Sequence, residues 1–264
     1  MTPERRTAYL QALDLPPWRA RGAAPTEPLA ALTRPLAEPA APEPAPLPAA
    51  AAAVPEADDR APAAGSAPPA PMGEPVAGDW EGLRAQVRDC QRCKLCTTRT
   101  QTVFGVGPQT APLLIVGEGP GADEDAQGEP FVGRAGKLLD EMLAAIGRSR
   151  RDSVFIANVV KCRPPGNRDP ESDEVEACRP YLEQQIRLLQ PRLIVGLGRI
   201  AAQRLLRSEA PLSKLRGPLH RDQGSGIPVF ITYHPAYLLR SPREKAKTWA
   251  DLKQVARWLR DAPG

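Results

Sequence analysis

Leu113-Leu114-Ile115-Val116, running directly into Gly117-Glu118-Gly119-Pro120-Gly121, constrains the fold more than any other stretch of this chain. Four consecutive apolar residues make a short strand buried on both faces, as in parallel sheets. The glycine-rich turn after it lets backbone approach a bound group closely. Beyond the turn, Lys137-Leu138-Leu139-Asp140-Glu141-Met142-Leu143 has helical spacing. Open α/β sheets gather ligands at such a turn, at the carboxyl end of a buried strand. Glu118, Glu124 and Asp125 add carboxylates at its mouth, and Pro130-Phe131-Val132-Gly133 adds one aromatic. Taken alone, the stretch is satisfied equally well by a tight strand-to-helix connection without chemistry.

Three more apolar runs follow, at Val154–Val160, Leu193–Gly198 and Val229–Thr232. Helical patterns alternate with them at 172–190, 200–206 and 245–260, and a further helix opens the region at 80–88. The alternation predicts a three-layer α/β/α sandwich around a central four-stranded parallel sheet. Pro180 predicts a kink or break in the 172–190 helix. The turn after Val116, the strand end at Asn158 and the turn 233–240 carrying His234 should open along one edge of the sheet.

Composition changes near residue 80. Of the 32 prolines, 17 fall in residues 1–87, and Gly22 to Gly78 is mostly Ala, Pro and Glu without aromatics. Such a segment buries too little apolar surface to offset its ordering entropy. Three regions result: a short partner-binding segment (1–21), a disordered Pro/Ala-rich tether (22–79) and a compact domain (80–264). In residues 3–19, Tyr9, Leu10, Leu13 and Trp18 can form one apolar helical stripe for a partner surface. The segment resembles the short peptide by which one replication clamp-loader subunit docks on another, which implies a replication or repair partner. Residues 1–87 carry 7 Lys and Arg against 11 Asp and Glu, while the remainder carries 28 against 20. A basic domain behind an acidic tether suggests a polyanionic partner. The charged start, with no apolar stretch after it, predicts no secretory signal. No run is long enough to cross a bilayer, so a cytoplasmic monomer is expected.

The five cysteines are Cys90, Cys93, Cys96, Cys162 and Cys178. In a cytoplasmic protein they point to metal binding or catalysis rather than disulfides. The Cys-x2-Cys pair can begin a zinc site, but the remaining thiols are spaced loosely, which suits an iron–sulfur cluster equally well. Cys178, on a helix, can also be a plain core residue.

Four motifs now stand in order: the paired cysteines, GEGPG with PFVG, Asn158-Val159-Val160-Lys161-Cys162-Arg163-Pro164-Pro165, and His234-Pro235-Ala236. With them, residues 90–258 resemble the family 4 uracil-DNA glycosylases, the iron–sulfur type. The resemblance implies a four-iron four-sulfur (4Fe-4S) cluster on Cys90, Cys93, Cys162 and Cys178, with Cys96 at no ligand position. It implies that the Gly117 and Gly119 backbone approaches a flipped uracil, that Phe131 stacks on it, that Asn158 reads its edge and that His234 hydrogen-bonds O2. Glu118 and Glu124 fall at acidic positions beside the base. A covalent relative uses a histidine in the loop after the second strand; here Pro164-Pro165-Gly166-Asn167-Arg168-Asp169 has none, which argues for turnover. Other branches place an Asp or Asn where this chain has Gly119.

Uracil must leave the helix before its glycosidic bond is reached. Cleavage creates an oxocarbenium-like sugar and a uracil anion, so His234 would stabilise the anion while Glu118 or Glu124 orients water. Leu238, four residues after His234, is placed to wedge into the vacated stack. Arg99, Lys161, Arg163, Arg168, Lys214, Arg216 and Arg240 fall in loops or turns and are candidates for phosphate contact. Two rivals differ in class: a non-catalytic nucleic-acid-binding module with a structural metal, and a nucleotide-binding enzyme. The second lacks both Gly-x-Gly-x-x-Gly spacing and a P-loop Lys-Ser/Thr.

Overall fold

A computed structural model describes residues 78–261. The expected segments 1–21 and 22–79 therefore lie outside the described residues, Gly78 and Asp79 excepted. Helix α1 (Trp80–Arg88) starts where the Asp79 carboxylate accepts the Gly82 N–H at 2.7 Å, a side-chain cap. The sheet then builds from β1 (Leu113–Gly117), β2 (Val154–Asn158), β3 (Leu193–Leu197), β4 (Leu219–Arg221) and β5 (Pro228–Thr232). Their order is β2-β1-β3-β5-β4.

The four expected strands pair in parallel, with Gly117 opposite Asn158 and Leu197 opposite Thr232. The sheet has one strand more than expected. β4 pairs antiparallel to β5 at the edge, and its three residues are too few and too exposed to register as an apolar run.

Side chains alternate across the sheet and divide the core in two. Leu114, Val116, Phe155, Ala157 and Ile194 face α1, α4 (Ser172–Leu189) and α5 (Gly198–Leu206). Leu113, Ile115, Ile156, Val195 and Phe230 face α3 (Arg134–Ala145) and α8 (Lys245–Asp261). Fully burying one such aliphatic side chain contributes about 1.5–3 kcal/mol. With both faces covered, the sheet leaves its strand ends as the place where polar groups can meet.

Helix α4 runs unbroken through Pro180. Three short helices lie where the apolar pattern gave none: α2 (Ala122–Gln127), α6 (Leu212–Leu215) and α7 (Pro235–Arg240). In α7, Pro235 occupies the first turn, where its missing N–H costs nothing. Among the described residues no helix is long and apolar enough to cross a membrane.

Candidate active site

The carboxyl ends of β1, β2 and β5 meet around a cavity of about 410 Å³. Glu118, Gly119, Glu124, Phe131, Asn158 and His234 all line it, as does Asp169. Gly117 lies beneath. A Cβ there would come within 2.4 Å of Asn158 Oδ1 and 2.7 Å of the Phe131 ring, so only glycine leaves these two in place. Asn158 is 1% exposed, and its Oδ1 is buried with no hydrogen-bond partner. A buried acceptor left unpaired costs about 1–3 kcal/mol, which makes this atom a receptor for an incoming donor. The Phe131 and His234 rings lie 5.4 Å apart with a 32° tilt.

His234 caps α7, its Nδ1 accepting the Ala236 N–H at 3.2 Å. Burial pushes its pKa down to about 4, and the nearby Arg240 charge acts in the same direction. At neutral pH the ring is therefore uncharged. With Nδ1 accepting, its one proton sits on Nε2, which is a donor. The other histidine, His220, makes a 2.7 Å contact with the Leu215 carbonyl, away from the cavity.

Glu118 is pushed up to about 7, first by burial and then by the charge and hydrogen bond of Asp169. Arg199, ion-paired with Asp169, pulls the other way. Glu118 thus holds and releases a proton near neutrality. Glu124 has a different task. One of its carboxylate oxygens accepts the Val132 and Gly133 N–H groups at 3.0 and 3.2 Å, and the other accepts the Gly121 N–H at 3.1 Å. It joins the glycine turn to the Phe131 loop, so its oxygens are committed to backbone and not to water.

Other expectations need correction. Leu238 is 1% exposed and packs on Leu138, Met142 and Leu252, so it does not project as a wedge. A six-residue helix turns it inward, and Tyr237 and Leu239 are the exposed apolar side chains there. Lys161 is no phosphate contact: it is 1% exposed and donates to the Asn158 carbonyl at 2.8 Å and to Gln185 Oε1 at 2.6 Å. Arg168 and Arg216 are occupied by Glu174 and Asp251. Arg163 is held by Asn167, and Arg99 by the Cys162 sulfur at 3.1 Å. Lys214 and Arg240 stay exposed, and Arg240 borders the cavity.

Asp169 went unnoticed in the sequence because nothing in its loop's pattern distinguishes it from a solvated turn residue. A second cavity, about 420 Å³, lies between α4 and α5. Its arginines are already satisfied, Arg179 by Glu176 and Glu183, Arg204 by Glu176 and Arg207 by Glu183. Its arginines are thus not free to draw in an anion, and the chemistry lies with the first cavity.

Cys90, Cys93, Cys162 and Cys178 line one recess against α4, and Cys96 lines it too. Burial raises Cys93 to about 11 and Cys178 to about 12, so bare thiols would stay protonated there. Yet donors point at the sulfurs: Arg92 N–H at Cys90 (3.5 Å), Lys161 N–H at Cys178 (3.2 Å) and Arg99 at Cys162. Donors aimed at sulfur suit thiolates, so this donor set fits a cluster bound through four sulfurs. Among the described residues, no three His, Cys, Asp or Glu side chains are grouped to hold a single metal ion.

The fold and site thus define an open-sheet α/β protein whose strand ends close around one small recess with a buried acceptor, beside a pocket of thiols. A family model described as the uracil DNA glycosylase superfamily matches residues 104–253. The chain is 44% identical over 176 residues to the type-4 uracil-DNA glycosylase of Archaeoglobus fulgidus, spanning 64% of this chain and 88% of that protein. To the type-4 enzyme of Pyrobaculum aerophilum it is 46% identical over 180 residues, spanning 66% and 91%. To that of Thermotoga maritima it is 45% identical over 158 residues, spanning 59% and 81%. The chain belongs to the uracil-DNA glycosylase superfamily and, within it, to the type-4 group.

Proposed function

We propose that this protein draws uracil out of DNA and hydrolyses its N-glycosidic bond, releasing free uracil and leaving an abasic site. One observation carries the reading: the unpartnered Asn158 Oδ1, buried at a recess that Phe131 and His234 also line. Uracil offers N3–H as a donor next to O4 as an acceptor. Asn158 Oδ1 accepts the first and its Nδ2 donates to the second. Cytosine presents an acceptor and an amine there, leaving groups unpaired at about 1–3 kcal/mol each. Phe131 stacks on the extruded ring, a contact worth about 1–3 kcal/mol.

Bond cleavage sends the C1′–N1 electron pair to the uracil ring, where charge gathers on O2. His234 meets it with its Nε2–H as a neutral donor, consistent with the low pKa of its ring. Water attacks C1′ from the other side and loses its proton to Glu118, whose pKa near 7 suits a general base at neutral pH. Burial raises that pKa first, Asp169 adds to the rise and Arg199 opposes it, and Glu124 positions the loop. Cys90, Cys93, Cys162 and Cys178 hold a four-iron four-sulfur cluster. When bound it supplies no electron to this hydrolysis and ties the Cys90–Cys93 and Cys162 loops to α4. Arg240 and Lys214 contact phosphates, Tyr237 and Leu239 face the DNA stack, and residues 3–19 bind a replication or repair protein.

The test is release of free uracil from U:G, U:A and single-stranded oligonucleotides. Asn158→Asp should lose uracil activity, because its carboxylate opposes O4. A wild-type enzyme that binds these strands and releases nothing overturns the reading in favour of a binding module.

A further inference from the structure

Phe131 adopts φ +56°, a left-handed conformation that a bulky residue holds only when its surroundings impose it. The imposing groups come from elsewhere in the chain. Arg150, in the connection between α3 and β2, donates Nη1 to the Pro130 carbonyl at 3.0 Å and Nη2 to the Phe131 carbonyl at 2.9 Å. Its Nε is anchored on Asp140 of α3 at 2.8 Å. The Arg150 side chain is only 15% exposed, so the fork is shielded from water. Gly136 closes the same spot, because a Cβ there would lie 1.7 Å from the Phe131 carbonyl oxygen. The loop is therefore gripped from two directions. Glu124 takes the N–H groups of Val132 and Gly133, and Arg150 takes the carbonyls of Pro130 and Phe131.

We propose that Arg150 is a positioning residue for base stacking: its Asp140-anchored guanidinium fixes the Phe131 backbone so that the ring lies beside His234 at the recess. Arg150 does not itself line the cavity, so it acts only through Phe131. A planar fork spans two carbonyls and a carboxylate at once, and a lysine ammonium does not. The inference rests on the reading that Phe131 stacks on an extruded base.

The experiment is a double-mutant cycle of Arg150→Met and Phe131→Ala in the full chain. Its readouts are single-turnover uracil release, affinity for abasic-site DNA, and hydrogen exchange of the Val132 and Gly133 amides. Arg150→Met should speed that exchange and slow the single turnover by about tenfold to a hundredfold, as a displaced contact does. Abasic-site affinity should change by less than about twofold, since phosphate contacts dominate it. In the Phe131→Ala background the same change should cost almost nothing further. An equal loss in that background, or unchanged amide exchange, overturns the proposal. If Arg150→Met melts below the assay temperature, Arg150→Lys carries the same cycle with an intermediate loss expected and the same two overturning results. Should the wild-type enzyme release no uracil, the reading of the site falls, and the exchange data still decide whether Arg150 holds the loop.

Discussion

The ammonium of Lys161 lies 2.8 Å from the backbone carbonyl of Asn158, so the residue proposed to read the base is held by a buried charge. The same ammonium donates to Gln185 on α4, whose amide donates in turn to the Phe104 carbonyl at 2.8 Å. Lys161→Met leaves two buried acceptors without a donor. It should destabilise the domain by about 2–5 kcal/mol, read by denaturant unfolding. The salt dependence of DNA binding should not change. A reduced salt slope with native stability would mean that Lys161 reaches the phosphates after all.

Glu118 and Asp169 make a prediction about pH. The single-turnover rate should rise through about pH 7 as Glu118 loses the proton that blocks it as a base. Asp169→Asn removes the neighbouring negative charge, which is one cause of the raised value. The acid limb of the profile should then move to lower pH. An unmoved limb assigns that ionisation to another group.

His234 should govern the speed of bond breaking more than binding. His234→Ala should lower the single-turnover rate by about 10²–10³, as loss of one donor to a developing anion does. Affinity for abasic product should hold. Between pH 5 and 8 the wild-type rate should show no step from this ring, because its pKa lies near 4. Weak DNA binding at an undiminished rate would make the histidine structural.

The cysteines predict about four irons per chain in anaerobically purified protein, measured with acid-labile sulfide. Cys162→Ala should lose most of the iron. The residue is 5% exposed and its sulfur takes the Arg99 guanidinium, so the loss should also lower the melting temperature. Cys96→Ala should keep its iron. Stoichiometric zinc, or full iron in Cys162→Ala, would count against the cluster.

The four parallel strands were legible because each is a run of apolar residues between Gly, Pro and Asn punctuation. Asn158 and His234 were legible as polar residues at strand ends. What escaped was set by tertiary partners. Lys161 looks like a loop cation until Gln185, 24 residues away, is seen to receive it. Leu238 fits a wedge by spacing, yet helix α7 turns it into the contact with Met142 and Leu252. The Glu124 carboxylate looks catalytic until the Val132 and Gly133 amides are seen to fold back onto it. Strand β4 alternates over too few residues for its period to register.

The strand order β2-β1-β3-β5 has a metrical consequence. Asn158 ends β2 and His234 follows β5, so two strands always stand between them. Three interstrand spacings make a gauge of about 14 Å, closed from each side by one side chain. Strand pairing fixes the separation of these strand ends, and the Phe131 loop fills part of the opening beside His234. To admit a ligand of another width, such a protein would have to gain or lose a strand, shorten the side chain at one jaw, or move the Phe131 loop.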